Sequence, residues 1–330
     1  MNWKKTIFPG NGLLESSKLI CKRSPVKTNP STELPTPKGD RDLSVILVNY
    51  NGKDIIERCL DSILENVQEI NHEVIVVDNH STDGSEALIQ NNYSQIRLLC
   101  NSDNLGFSKA NNQGIKASQG HYILILNTDT YVPSHSIKAL LKLMKQNSEV
   151  GAVGPALLRG EQDYQISFGG KVSFFSECAK KLFLNHYYRL KLRKDLSERD
   201  VTWLSGACLM TRRDILESVG MFDERFFLYF EDIDLCMRIK EQGWRLVYFP
   251  AAKIFHRGGA STELNKLDSR YHYRKSQIYF YSKHSSSLSC VFLKLYLSVH
   301  FVLGVFQGIL GKKDDLKRRI RFFRLLGFKG

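Results

Sequence analysis

The chain has 330 residues, 42% of them hydrophobic and 25% charged, enough to bury a full core, which sets aside small disulfide-stapled and zinc-cluster folds. Its seven cysteines stand singly with no C-x-x-C pair, which predicts reduced thiols in a cytosolic setting. The net charge of +13 leaves nucleic acid, anionic lipid or a phosphate-bearing substrate as partners, and its placement has to decide among them.

The N-terminus, "MNWKKTIFPGNGLLESSKLICKR", lacks the apolar run and cleavage site of a secretory signal, so the catalytic part is expected in the cytosol. Residues 1–40 mix Pro, Ser, Thr and Lys without a sustained period and read as a flexible extension. An ordered pattern then begins. "LSVILVNY" is an apolar run of strand length, and "GKDIIERCLDSILEN" aligns Ile55, Ile56, Cys59, Leu60, Ile63 and Leu64 on one helical stripe. "HEVIVVD" repeats the buried-strand signature, and Asp83 and Glu86 in "STDGSEALIQ" are spaced like a capping box. "IRLLC", "GFSKANNQGIKAS", "YILILN" and "PSHSIKALLKLMKQ" continue the alternation, with Pro133 suited to a first helical turn. Alternating strands and helices predict a mostly parallel sheet covered on both faces.

In such sheets ligands sit outside the carboxyl ends of the strands. Polar residues follow each of the first four strands here: "NYN", "DNHSTDGS", "NSDNLGFSKANN" and "NTDT". A G-x-G-x-x-G fingerprint is absent after the first strand, which counts against a dinucleotide-binding dehydrogenase. Asp129 ends an apolar run, where a desolvated carboxylate is costly unless paired, either with a metal ion or with a helix start. Further on, "YFEDIDLCMRIKEQGW" crowds Glu231, Asp232 and Asp234 at the start of a helix whose apolar positions include Ile233, Cys236, Met237 and Ile239. The helix dipole accounts for one acid, and three neighbours tend to raise one pKa, as a general base needs. His256, in "IFHRGGAS", reads either as a packed residue or as a ligand.

Much of the positive charge lies in two blocks, "KKLFLNHYYRLKLRK" and the tail "GKKDDLKRRIRFFRLLGFKG". The tail follows "LSCVFLKLYLSVHFVLGVFQGIL", a 23-residue stretch near the length of a bilayer span but interrupted by Lys294, His300 and Gln307. A membrane-associated C-terminal helix followed by a segment drawn to anionic headgroups is expected, with no nucleic-acid partner.

"SVILVNYNG", "VIVVDNHSTDGS", "NLGFSKANNQGI", "LILNTDT", "SGACLMTRRDIL" and "GMFDERFFLYFEDIDLCMRIKEQGWRLVYFPAAKIFHRGGAS" together resemble, in order, the motifs of family 2 glycosyltransferases, and most nearly their rhamnosyltransferase-like branch. The resemblance covers roughly residues 43 to 262. It implies an inverting enzyme with the GT-A fold, a Rossmann-like α/β architecture, over 41–265; the apolar stretch and basic tail make 266–330 the expected membrane-associating helical segment. Asp129 would then hold Mg2+ or Mn2+ on the donor diphosphate, with Asn127 at the first acidic position of the Asp-x-Asp element and His256 as a further metal or diphosphate contact. The resemblance also implies Asp232 as the base, with Glu231 the second candidate and Asp234 positioning the acceptor or tuning the base. Asp78 would contact the nucleobase, Asn49, Asn51 and Asn104 would line the nucleotide pocket, and Trp203 and Gly206 would border donor sugar and acceptor. The expected partners are a nucleotide sugar, with dTDP-rhamnose the first choice over UDP-hexoses or UDP-N-acetylhexosamines, and a cell-surface polysaccharide or polyprenyl-linked saccharide acceptor at the inner face of the cytoplasmic membrane. A sugar-phosphate nucleotidylyltransferase lacks its glycine-rich phosphate loop here, and a silent membrane-bound partner would have no need of Asp129, Asp232 and His256 together. No motif is assignable in residues 160–200.

Overall fold

The computed structural model describes residues 40–160, 163–170, 172, 197–258 and 266–309. The N-terminal extension, the basic block from Lys180 to Lys194 and the basic tail therefore lie outside the described residues.

The expected β/α alternation is present. Strand β1 (Arg41–Asn49) pairs in parallel with β2 (His72–Asp78) and with β4 (Gly120–Asn127), and β2 pairs in parallel with β3 (Arg97–Cys100). The second half departs from a purely parallel pattern. Strand β10 (Cys208–Arg212) inserts antiparallel between β4 and β6 (Val150–Leu158), and β11 (Arg245–His256) pairs in parallel with β6. Short β5 (Thr130–Tyr131) joins the C-terminal end of β11, bringing Thr130 opposite His256, and β8 (Arg199–Asp200) also pairs with β11. Separately, β7 (Phe168–Gly169) and β9 (Trp203–Leu204) form a small two-stranded sheet.

Both faces of the large sheet are covered, which explains why its strands read as continuous apolar runs. On one face Val45, Leu47, Val74 and Val76 pack with Ile56, Leu60 and Ile63 of α1 (Lys53–Val67) and Ile137 and Leu140 of α4 (Ser136–Gln146). On the other, Ile46, Ile123 and Ile125 pack with Ile115 of α3 (Phe107–Ala117), Ile215 of α5 (Arg213–Ser218), and Leu235 and Ile239 of α6 (Glu231–Glu241).

Two helix starts differ from the expected ones. The residue at the cap position of α2 (Ser85–Asn92) is Gly84, in a left-handed conformation with φ 84°, while Asp83 Oδ1 accepts the Ser85 N–H at 3.0 Å. Asp83 Oδ2 also accepts the Lys53 N–H at the start of α1 at 2.8 Å, so one carboxylate ties two helix starts together, with Gly84 rather than Asp83 at the cap position that the Asp83–Glu86 spacing expects. Helix α4 begins at Ser136, after Pro133, whose carbonyl accepts the Ser136 N–H.

Helices α7 (Lys266–His284) and α8 (Ser287–Ile309) follow. Phe280, Tyr281, Leu293 and Leu297 from this pair bury themselves against Phe226 and Phe230, in the loop that leads into α6. No helix among the described residues is long and apolar enough to cross a membrane. The five described cysteines are free thiols, as their spacing predicts.

Candidate active site

Three groups of polar side chains meet at the carboxyl ends of β1, β2, β4 and β11. The first sits behind β1 and β2. Asn49 is fully buried and donates to Asp78 Oδ1 at 2.7 Å and to Ser85 Oγ at 2.8 Å. Asp78 Oδ2 accepts the Ser81 N–H at 2.9 Å, which curls the loop after β2. Asn51, at φ 52°, accepts the Thr82 N–H at 2.8 Å, and its own N–H donates to Ser81 Oγ at 2.9 Å. Asn104 accepts from Asn79 Nδ2 at 2.8 Å and from the Gly106 N–H at 3.0 Å. These expected nucleotide-pocket residues are therefore gathered at one end of the sheet, where their hydrogen bonds brace three loops; Asn49 and Asp78 shape that end from beneath its surface.

The second group is Asp129, Asn127 and His256. Pairing of β5 with the end of β11 sets His256 Nε2 3.2 Å from Asp129 Oδ1 and 3.4 Å from Asn127 Nδ2. Asp129 thus faces a histidine rather than capping a helix, and the Arg257 N–H donates to its main-chain oxygen at 3.0 Å. Sequence reasoning missed the residue that orients this ring. Gln165 Nε2 donates to the main-chain carbonyl of His256, which can only accept, so its Oε1 is the atom facing His256 Nδ1 at 3.0 Å. The hydrogen on this side belongs to Nδ1, and Nε2 is the nitrogen turned toward the Asp129 carboxylate. A carboxylate oxygen and an imidazole nitrogen so placed suit a cation between them. With diphosphate oxygens and water completing the shell, the set fits Mn2+ or Mg2+; no group of three or more histidine, cysteine or acidic residues forms a complete cage among the described residues.

The third group lies at the start of α6. Tyr229 and Phe230 both take left-handed backbone conformations, φ 70° and 68°, a conformation costing on the order of 1–3 kcal/mol per residue and held by the aromatic packing of α7 and α8 around them. The turn so made presents Glu231 and Asp232 together. Asp232 Oδ2 accepts the Gly206 N–H at 2.9 Å and Oδ1 the Ile233 N–H at 2.8 Å. Burial raises both carboxyls. Glu231 is pushed well above the usual range by burial and then by the Asp232 charge, and its buried Oε2 has no hydrogen-bond partner among the described residues. Asp232 is raised by burial against the pull of its N–H donors, and it is the less buried of the two. Asp234 plays a different part from the expected one: fully buried, it accepts from Arg238 Nε at 2.8 Å, Lys283 Nζ at 2.7 Å and His284 Nε2 at 2.6 Å, and so anchors α7 to α6.

The turn between β9 and β10 joins the last two groups. Asn127 donates its N–H to the Ala207 carbonyl at 3.0 Å, and the neighbouring Gly206 N–H is the one held by Asp232. A Cβ on Gly206 would sit 3.2 Å from that of Asp232, so the glycine permits the close approach. Trp203 lies one turn away on β9, half-buried over Gly169, where a Cβ would come within 2.6 Å of the indole nitrogen. The loop after β3 is held to the same assembly: the Phe107 N–H donates to Phe227 O at 2.7 Å, and Asn112 bonds the Phe222 main chain in both directions, at 2.9 and 3.0 Å.

Residues 44–220 match the family model described as Glycosyl transferase family 2. The chain is 32% identical over 265 residues to an N-acetylglucosaminyl-diphospho-decaprenol L-rhamnosyltransferase of Mycobacterium tuberculosis (strain CDC 1551 / Oshkosh), an alignment covering 74% of this chain and 85% of that protein. Rhamnosyltransferase WbbL of Escherichia coli (strain K12) is 25% identical over 225 residues, 64% of this chain and 82% of its own. Among solved structures, a mannosyltransferase from Pyrobaculum calidifontis in complex with GDP-Man and Mn2+ superposes with a TM-score of 0.52 at 16% identity, covering 88% of each chain. The chain belongs to glycosyltransferase family 2, is rhamnosyltransferase-like, and has a GT-A type α/β fold.

Proposed function

We propose that this glycosyltransferase moves rhamnose from dTDP-rhamnose to a hydroxyl of a lipid-linked saccharide that is a precursor of a cell-surface polysaccharide, with inversion at the anomeric carbon. The observation that carries the reading is the turn at Gly206 and Ala207, which bonds Asp232 on one side and Asn127, of the Asp129–His256 group, on the other. The names of the two rhamnosyltransferase relatives support the donor, and the decaprenol-linked substrate named for the first supports the acceptor class.

In this reading Asp129 and His256, with Asn127 beside them, hold Mg2+ or Mn2+. The ion's part is to neutralise charge on the departing diphosphate. Asp78, Asn49, Asn51 and Asn104 set the walls of the nucleotide pocket, and Trp203 and Gly206 border the sugar. Asp232 takes the acceptor hydroxyl proton on a carboxylate oxygen: each oxygen keeps a lone pair beyond its main-chain hydrogen bond, and the raised pKa favours proton uptake. Glu231, driven toward its neutral form, adds no second charge beside the base. Attack from the face opposite the diphosphate inverts the configuration. Because the acceptor carries a lipid, the enzyme works at the anionic inner face of the cytoplasmic membrane, held there by its C-terminal segment.

Release of nucleoside diphosphate from dTDP-rhamnose, UDP-hexoses, UDP-N-acetylhexosamines and GDP-mannose, with and without Mn2+ and a polyprenyl-diphosphate-linked acceptor, tests the reading. Metal- and acceptor-dependent turnover of dTDP-rhamnose is expected; preferential turnover of another donor overturns the rhamnose assignment.

A further inference from the structure

Helix α8 has two apolar faces, only one of which is buried among the described residues. Leu293 and Leu297 are buried against Phe226, Phe230, Phe280 and Tyr281. On the opposite side Leu288, Val291, Leu295 and Val299 are 70%, 51%, 57% and 57% exposed. Their spacing of three, four and four residues keeps them on one stripe, and at about 100° of rotation per residue that stripe points away from the buried pair. Leaving one such side chain in water is ordinary, but four in line on one helix mark a contact surface.

We infer that this stripe is the face by which the enzyme lies on an anionic bilayer, with α8 in the plane of the interface rather than across it. The inference rests on the membrane-surface reading above and names the side chains that make it. Two observations select a bilayer as the occupant. No helix among the described residues is long and apolar enough to cross a membrane, and an apolar stripe along one side of a helix suits a contact in the plane of the interface. The sequence that follows α8, residues 311–330, carries eight lysines and arginines against two aspartates, a charge complementary to acidic headgroups.

The helix pair is also fixed to the catalytic machinery. Lys283 Nζ and His284 Nε2, at the end of α7, bond Asp234 at 2.7 and 2.6 Å, and Tyr279 donates to Asp223 at 2.7 Å. Asp234 lies two residues from Asp232 on α6. Docking of the stripe therefore sets the distance and tilt of the base relative to the membrane in which a lipid-linked acceptor would be held.

The test is co-sedimentation of the full chain with vesicles of phosphatidylcholine and phosphatidylglycerol and with vesicles of phosphatidylcholine alone. It compares the native protein with the fourfold variant Leu288→Gln, Val291→Gln, Leu295→Gln, Val299→Gln. The native protein should bind the mixed vesicles and bind phosphatidylcholine alone more weakly. The variant should bind the mixed vesicles at least about ten-fold more weakly, while keeping the native melting temperature and donor hydrolysis. Native-level binding by the variant overturns the assignment of the stripe, leaving the basic tail as the membrane contact. Failure of the native protein to bind either vesicle overturns the membrane-surface reading with it, and equal binding to both vesicles overturns the anionic preference. A dimer of the native protein, seen by light scattering and lost in the variant, gives the stripe to a second copy and refutes the bilayer. Donor hydrolysis in solution, measured in parallel, separates all of these from failure of the glycosyltransfer reading.

Discussion

Replacing Asp234 by alanine removes a fully buried negative charge that faces three donors at once. The carboxylate has no solvent exposure, and the Arg238, Lys283 and His284 side chains bonded to it are themselves only 17%, 27% and 7% exposed. Once the carboxylate is gone, Arg238 and Lys283 lose their shared buried counter-charge, a change that costs about 3–5 kcal/mol when one partner of a buried ion pair is deleted. Lys283 still has Asp223 at 2.8 Å, which places the expectation at the lower end, about 3 kcal/mol. Urea unfolding followed by fluorescence reads this directly as a lower midpoint at unchanged slope. The pH dependence gives an independent reading of the same network. Burial alone would raise Asp234, but the His284 hydrogen bond and the Arg238 and Lys283 interactions reverse it and leave the pKa lowered. Asp223 behaves alike: burial is outweighed by the bonds from Lys283 and Tyr279, and its pKa falls to about 2. A folded-state pKa below the unfolded one stabilises the protein above the unfolded value, about 4 for aspartate, and that stability is lost as pH falls through the folded value. The native protein should therefore lose stability between about pH 4 and pH 2, and Asp234→Ala should lose less of it. A variant within about 1 kcal/mol of native, with an unchanged acid limb, would refute the anchoring role.

Two further perturbations address the site itself. Gln165→Leu removes both hydrogen bonds that orient His256 and should weaken Mn2+ binding, read by electron paramagnetic resonance, by about 10–100-fold with little change in melting temperature; native affinity would remove Gln165 from the site. Gly106→Ala places a Cβ 2.6 Å from the Phe227 carbonyl oxygen at a residue with φ 84°, so it should destabilise the fold by about 1–3 kcal/mol and lower kcat by shifting the loop that leads to Asp232. A native melting temperature and kcat would show that this loop is not held as described.

The first half of the fold was legible because sheet strands covered on both faces write themselves as apolar runs, and α1 and α4 as single stripes. The direction of β10 was not: "SGACLMTRRDIL" carries burial but no sign of which neighbour it pairs with, and its antiparallel insertion between β4 and β6 is settled by contacts far along the chain. Helix starts were misjudged where a left-handed residue, Gly84 or His135, occupies the cap position, a backbone turn that the residue spacing does not show. In the site, Asp232 among its crowded acids and His256 as a ligand were singled out by the resemblance to family 2 glycosyltransferases, whereas Asp129 stood out because an acid ending an apolar segment demands a partner. Gln165 did not, since a lone glutamine in a segment without motif becomes visible only when the fold brings it to a histidine 91 positions away. Asp234 was misread for a related reason: its neighbours in sequence are acids, whereas two of its three partners in space come from α7.

The most direct test of the account compares Asp232→Asn with the native protein for transfer to a polyprenyl-linked acceptor and for nucleotide-sugar binding by calorimetry. The account predicts that transfer falls by about 10²–10⁴-fold while donor affinity is essentially unchanged, the signature of a lost base in an intact pocket. Transfer at the native rate would contradict it and move the base elsewhere in the site.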